Sequence, residues 1–377
     1  MPENRHASRT LGYSLNVFPC NSLAELWTCL ENEVEQLKER TCPDGVFPIE
    51  LRFSERIVRD LQSDCDEVSR LKYHLDTHDL ALVSVNGFVM PAFHGERVKE
   101  RVYLPAWHES DARVHFTIAC LDLLQTLGTT ALGHSGTIQS VSVPFGALKP
   151  VSMAAIAPNI LRCGRHAETL RQKTGVHCVV ALEPEPGLTV ETTAEAVEFF
   201  ERFVPDTLRP YLGVNFDLSH QLVEFEDLGA SLTMLSEHGV PVAKVHVSNA
   251  AEMTRLEPFY ADSIYLHQVC GVNARRERVY FSLDWPTQPP PADIRLFRVH
   301  YHLPVCPQPA SPVATTLNEV EDFLRHSGTQ ALGNSTPFII ETYTWLEHRP
   351  GPGRLVEGIA GELAWVREKM CLCRPGV

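Results

Sequence analysis

HCVVALEPEPG (177–187), YLGVNFDLSH (211–220), PVAKVHVSN (241–249) and PFIIETY (337–343) share one form. In each, a short apolar run ends on a carboxylate or an imidazole: Glu183, Asp217 with His220, His246, and Glu341. Apolar runs of this length are buried strands, and the segments of helical period between them make the strands parallel. ETTAEAVEFFERF (191–203) and EFEDLGASLTMLSEHG (224–239) are two such helical segments.

Upstream the alternation continues. Tyr13–Phe18 is a strand, followed by a helix over 22–40 from an Asn21/Ser22 cap, with Leu23, Leu26, Leu30, Val34 and Leu37 on one face. Then come IELRF (49–53), a helix to about residue 78, ALVSVNGFV (81–89), a helix over 111–127, TIQSVSVPFG (137–146) and a helix to about 174. After strand seven the rhythm breaks over 250–312, where strand-like pieces surround the proline run TQPPPAD (287–293). This reads as an insertion near the barrel mouth, although FRVHYHLPV (297–305) also fits a barrel strand. A helix over 316–327, PFIIETY and a last helix over 354–370 complete eight units. The expected fold is an α/β (β/α)8 TIM barrel with an insertion after strand seven, residues 1–377 forming one domain.

Composition sets the class. The 377 residues are 44% hydrophobic and 21% charged, ordinary for a globular enzyme. A net charge of −14 disfavours nucleic acid and anionic membranes as partners. The eleven cysteines contain no C-x-x-C pair, and some sit inside apolar runs, as Cys120 and Cys178 do, which suits buried thiols in a reducing compartment. No stretch is long and apolar enough to span a bilayer, and MPENRHASRT lacks a signal-like core, so a cytoplasmic location is expected. Oligomeric state is not readable from these features.

Active sites of such barrels form at the C-terminal ends of the strands. Singly, each strand-end residue has a plainer role, a helix cap for Asp217 or a packing residue for His246. Acid, acid, histidine, acid on four successive strands is a different matter. Glu183, Asp217, His246 and Glu341 form a mixed oxygen and nitrogen set suited to a divalent ion, Zn, Mn or Co, with His302 the alternative histidine. Glu183, Glu341, His220 and Lys244 are the candidate catalytic groups, though Lys244 also fits an interior salt bridge. Asn86, His302 and the basic loop residues His94, Arg97 and Lys99 are the candidate substrate contacts. The loop over 90–108, long and polar, reads as a lid.

The stretches ALEPEPG, GVNFDLSHQLVEFED, PVAKVHVSNA, RVHYHLPV and IIETYTW resemble the xylose isomerase-like barrel superfamily. With NGFVMPAFHGERVKERVYLPAW (86–107), the chain is most similar to the metabolite traffic protein EboE family, from about Gly12 to Trp365. The superfamily's epimerase pattern implies metal ligands at Glu183, Asp217, His246 and Glu341, and a substrate contact at His220. The resemblance implies a metal-dependent isomerase, epimerase or related lyase on a polyhydroxylated small metabolite, in EboE-type synthesis or traffic. A zinc-dependent phosphodiesterase of the endonuclease IV type, using the same residues with His94 in a multi-metal cluster, is the alternative. A non-catalytic metabolite-binding protein is the third reading.

Overall fold

The runs of Val, Ile, Leu and Ala become strands buried on both faces, because each must cover the barrel interior on one side and a helix on the other. The computed structural model describes residues 9–95, 97–128, 137–257, 264–307, 314–327, 332–346 and 354–371. In chain order, β1 is Leu11–Ser14, β2 Phe47–Arg52, β3 Leu80–Asn86 and β4 Gln139–Pro144. They are followed by β5 Cys178–Glu183, β6 Leu212–Asp217 and β7 Val242–Val247. After β7 the chain forms β8 Asn249–Met253, β9 Val269–Val272, β10 Arg278–Ser282, β11 Leu296–Leu303 and β12 Ala314–Thr315. It then returns through the helix Leu317–Asp322 to β13, Phe338–Ile340.

Strands β1 to β7 and β13 pair in parallel and close on themselves, β1 lying between β13 and β2. This is a (β/α)8 barrel. The segment after β7 is a five-stranded antiparallel sheet of order β10-β9-β11-β8-β12. FRVHYHLPV is therefore not a barrel strand; most of it lies in β11, the middle strand of that sheet. Arg298 ties the sheet to the barrel. Its guanidinium donates to the Leu222 carbonyl at 3.0 Å, to Glu252 on β8 at 2.9 Å, and to Glu319 in the helix after β12 at 2.5 Å.

Local signals in the sequence account for several helix starts. Ser22 and Glu25 form a reciprocal capping box ahead of the helix Leu23–Cys29, and Thr192 and Glu195 form another ahead of Thr193–Phe203. The helix read over 22–40 is interrupted by a π turn at Leu30–Val34 and resumes as Glu35–Thr41. No helix among the described residues is long and apolar enough to cross a membrane.

The barrel axis is not wholly apolar. Ser14, Glu50, Ser84, Ser142 and Lys244, from β1, β2, β3, β4 and β7, meet there, all with 0% exposure. Lys244 donates to Glu50 and, through the same ammonium, to Ser84 at 3.1 Å and Ser142 at 3.0 Å. Ser14 donates to the other Glu50 oxygen at 2.8 Å. Each polar atom in this layer has a partner, the condition under which such a layer is tolerated in a core.

Candidate metal centre and its cavity

Glu183, Asp217, His246 and Glu341 stand at or just beyond the C-terminal ends of β5, β6, β7 and β13. One ligand-type atom from each lies within 4.8 Å of the others, and all four side chains are buried. His246 Nδ1 is the hub, 2.9 Å from Glu341 Oε2, 3.4 Å from Glu183 Oε1 and 3.5 Å from Asp217 Oδ2.

The surrounding bonds determine which atoms remain for an ion. Asp217 Oδ1 accepts from the His220 backbone N–H at 3.1 Å and from Ser248 Oγ at 3.2 Å, so the helix-cap role is real. Its Oδ2 is buried without a hydrogen-bond partner. Glu341 Oε1 accepts from Asn16 Nδ2 at 2.6 Å and Asn86 Nδ2 at 3.0 Å, which turns Oε2 toward His246. His246 Nε2 faces Glu50 Oε1 at 3.1 Å, so Nδ1, which lies 3.1 Å from Asn215 Nδ2, is the inward atom. A carboxylate behind a histidine is the usual means of fixing a metal-binding tautomer. Three carboxylates and one imidazole around an orphaned buried oxygen fit a divalent cation.

Electrostatics agree with the geometry. Burial alone would lower the His246 pKa, but Glu341, Glu50 and Glu183 hold it well above the ordinary histidine value. Burial would raise Asp217 and Glu341; the surrounding histidines instead hold both below the usual carboxylate range.

Above this cluster is a cavity with about 590 Å³ of empty space, open solvent included. Its floor carries Glu183, His220, His300, His302 and Glu341, and its walls include Phe88, Phe93, Tyr103, Tyr265, Leu266 and Tyr343. Apolar walls over a few convergent polar groups are the usual build of a small-molecule site. His300 and His302 come from β11, so the inserted sheet supplies part of the floor.

Several expected contacts lie elsewhere. Lys244 does not reach the cavity: it is sealed in the barrel axis against Glu50, which corrects its catalytic reading to a charge partner beneath the site. His94 is also not a cavity residue. Its Nε2 lies 2.5 Å from the Asn16 carbonyl and its Nδ1 2.8 Å from the Tyr265 hydroxyl, and burial lowers its pKa to about 4. Lys99 pairs with Asp284, in the bend just after β10, at 2.7 Å, and Arg97 is exposed outside the cavity. Within the loop read as a lid, Phe93, Val98, Val102 and Tyr103 are buried in an apolar cluster, and the Val98 and Lys99 amides donate to the Ile264 carbonyl. Asn86 lines the cavity but acts on Glu341, as described.

Sequence reading assigned no role to Glu50, Asn16 or Glu185, although Glu185 is one of the acids that end the strand-five run. The signal for Glu50 was a lone acid inside the apolar run IELRF, which a buried strand accepts only with a partner. Glu185 accepts from the Tyr103 hydroxyl and Gln268 Nε2, each at 2.7 Å, and burial pushes its pKa up to about 7.

No protein-family model matches the chain, and no curated protein matches it. Solved structures do. The chain is similar to the IolI protein with a bound zinc atom, at 14% identity and a TM-score of 0.52 over 96% of this chain and 99% of that one. It is also similar to a xylose isomerase-like TIM barrel protein from Mycobacterium smegmatis in complex with magnesium, at 13% identity and a TM-score of 0.53 over 96% of each chain. A third is the probable 3-DHS dehydratase AsbF of Bacillus anthracis, at 12% identity and a TM-score of 0.51 over 94% of this chain and 97% of that one. At these identities the likeness establishes the fold alone, a (β/α)8 barrel.

Proposed function

We propose that the protein is a divalent-metal-dependent enzyme of the sugar isomerase and epimerase kind, acting on a polyhydroxylated small metabolite. The observation that carries this reading is the set Glu183, Asp217, His246 and Glu341, which includes the Asp217 Oδ2 atom left without a hydrogen bond, under a walled cavity. Two of the similar structures hold zinc or magnesium, which supports a divalent ion here. When bound, that ion supplies Lewis-acid polarisation of a substrate carbonyl.

The protein's own groups then divide the remaining work. Glu341 is clamped by Asn16 and Asn86 and serves as a ligand. Among the described residues no amide or hydroxyl holds the Glu183 carboxylate, and Glu183 lines the cavity, so it is the group free to move a proton at a carbon next to the carbonyl. The aromatic walls fit the C–H faces of a sugar or cyclitol ring and exclude water from that step. A place in metabolite synthesis or traffic of the EboE kind is supported by the sequence resemblance, which spans most of the chain, and a cytoplasmic location by buried free thiols such as Cys120 and Cys178.

Asp217→Asn and Glu341→Gln should each lower divalent metal per chain severalfold with the far-UV CD spectrum nearly unchanged; full occupancy in both overturns the assignment. Turnover of a sugar or cyclitol in deuterated water should place deuterium at one carbon, and Glu183→Gln with metal restored should abolish this. Turnover without exchange points instead to hydride shift or hydrolysis. Phosphoester hydrolysis is the second reading, favoured by the histidine cluster on the cavity floor; the net charge of −14 argues against a nucleic-acid substrate for it.

A further inference from the structure

Arg52 ends β2 two residues after Glu50, so the two side chains share the inward face of that strand. Glu50 lies in the barrel axis and Arg52 one layer higher, where it lines the cavity together with Asn16 and Asn86. Arg52 is 1% exposed, yet none of its partners is a carboxylate. Nη1 donates to the Cys20 carbonyl at 2.8 Å and to Asn21 Oδ1 at 3.2 Å, and Nη2 donates to the Pro91 carbonyl at 2.6 Å. Nε has no hydrogen-bond partner, and Nη2 has two hydrogens for its one acceptor.

A second buried arginine shows how this fold satisfies a guanidinium that is purely structural. Arg113, 0% exposed and outside the cavity, donates from Nε to the Pro105 carbonyl at 3.2 Å. Its Nη1 donates to the Gly87 and Phe88 carbonyls at 3.2 and 2.8 Å, and its Nη2 to the Leu104 carbonyl at 3.4 Å. All three nitrogens are used. Burial lowers the pKa of both arginines to about 10, so each remains a full cation at neutral pH. Arg52 differs in keeping Nε and a hydrogen of the adjacent Nη2 open beside a cavity. A buried cation without a countercharge is costly, and an unused buried donor adds to that cost. An anionic oxygen group relieves both, because Nε and a terminal nitrogen form the fork that carboxylate and phosphate oxygens fit.

We infer that Arg52 is the anion-binding end of the cavity and takes a phosphate or carboxylate group of the ligand. This rests on the substrate cavity proposed above and narrows what it accepts. Barrel topology says which part of the ligand is held. Counted either way round the closed sheet, β2 is four strands from β6, so Arg52 and Asp217 stand on opposite sides of the mouth. The carboxylates of the candidate metal set repel an anion on their own side, and Arg52 attracts it to the other. A ligand is thereby oriented, its reacting carbonyl toward the carboxylate set and its anionic group at the far end. The ligand class becomes a polyhydroxylated carbonyl compound whose phosphate or carboxylate is remote from the reacting carbon. A neutral sugar of the same size leaves the guanidinium unpaired and is selected against.

Metal-free full-length protein is titrated by calorimetry with inorganic phosphate and, separately, with acetate, ionic strength being held constant with chloride. Both probes are small, so neither presumes the rest of the ligand. Wild type should bind at least one of them, and the tighter of the two identifies the group as phosphate or carboxylate. Arg52→Gln should weaken that binding about tenfold or more, with Arg52→Lys between the two. Far-UV CD confirms folding. If Arg52→Gln fails to fold, amide hydrogen exchange of wild type decides. The bound probe should slow exchange around residues 20–22, 52–54 and 91–93, the segments that the guanidinium joins. Neither probe binding to wild type, equal binding by Arg52→Gln, or no protection of those segments overturns the inference. Zn2+ uptake is measured on the same samples. Probe binding through Arg52 in a protein that takes up no Zn2+ would sink the metal reading and leave this site standing; Zn2+ uptake with neither probe bound does the reverse.

Discussion

Glu50→Gln is the substitution that tests how the barrel axis supports the candidate metal centre. The wild-type carboxylate accepts from Lys244, from Ser14 at 2.8 Å and from His246 Nε2 at 3.1 Å, all within the closed barrel. Burial would raise its pKa, but Lys244 and His246 hold it far below the carboxylate range, so it is a charge and not an acid. Glutamine keeps the shape and loses the charge. The Lys244 ammonium is then left with neutral acceptors alone, the Ser84 and Ser142 hydroxyls at 3.1 and 3.0 Å and the new amide oxygen, and no countercharge. Removing one partner of a buried pair costs about 3–5 kcal/mol, whereas replacing both members is close to neutral. Urea unfolding of metal-free protein should therefore show Glu50→Gln less stable by about 3–5 kcal/mol, and Glu50→Gln/Lys244→Met recovering most of that loss. His246 also loses the charge behind it, so Zn2+ affinity measured by chelator competition should fall about 10- to 100-fold in both variants, including the one whose stability recovers. A cost below about 1 kcal/mol for the single variant, or a double variant as unstable as the two singles added together, would refute the reasoning.

Two further expectations rest on other parts of the molecule. Glu362 accepts from Tyr13, Thr342, Trp345 and the Val305 amide, yet burial pushes its pKa from 4.5 up to about 7. Its contribution is therefore complete below the unfolded value and is lost as pH rises through the folded one, by about 3 kcal/mol in all. The stability difference between wild type and Glu362→Gln should shift by that amount against wild type between about pH 4 and about pH 8; a pH-independent difference would show the carboxyl to be ionised throughout. Gly146 follows β4 with φ at +136°, and a Cβ there would lie 2.5 Å from Thr189 Cβ. Gly146→Ala combines an unfavourable backbone with overpacking and should cost about 2–5 kcal/mol in thermal or urea unfolding. A cost under about 1 kcal/mol would mean that the turn can relax.

The barrel was legible because burial on two faces leaves a mark that survives without knowledge of the partners: VVAL, LGVNF, VAKV and PFII can hardly be anything but interior strands. The polar residue ending each run was legible for the same reason, since it departs from the pattern at the place where the fold puts its site. Pairing across the barrel was not. Lys244 and His246 are two residues apart and share a face, but the sequence does not say that Lys244 meets Glu50 one layer below the cavity while His246 reaches the site. His300 and His302 show the same limit. Their i, i+2 spacing gave them one face, but only the antiparallel sheet, with β11 at its middle, brings that face over His220. The basic loop residues misled because charge was read as ligand affinity, while Lys99 is spent on Asp284 and His94 on backbone and a tyrosine.

The inserted sheet leaves the barrel immediately after β7 and rejoins it at the helix Leu317–Asp322, a single excursion between a strand and its helix. Barrel closure passes through β7, β13 and β1 and uses none of it. The chain therefore separates what must stay fixed from what can be exchanged. A recombination or a run of substitutions confined to residues 249–315 can rewrite the roof and two imidazoles of the floor without touching the strand ends that carry the carboxylates. Descent from a common barrel would then proceed by trading one contiguous cassette, and the place to look for divergent substrate preference among its descendants is the length and histidine content of that cassette, ahead of any change in the barrel itself.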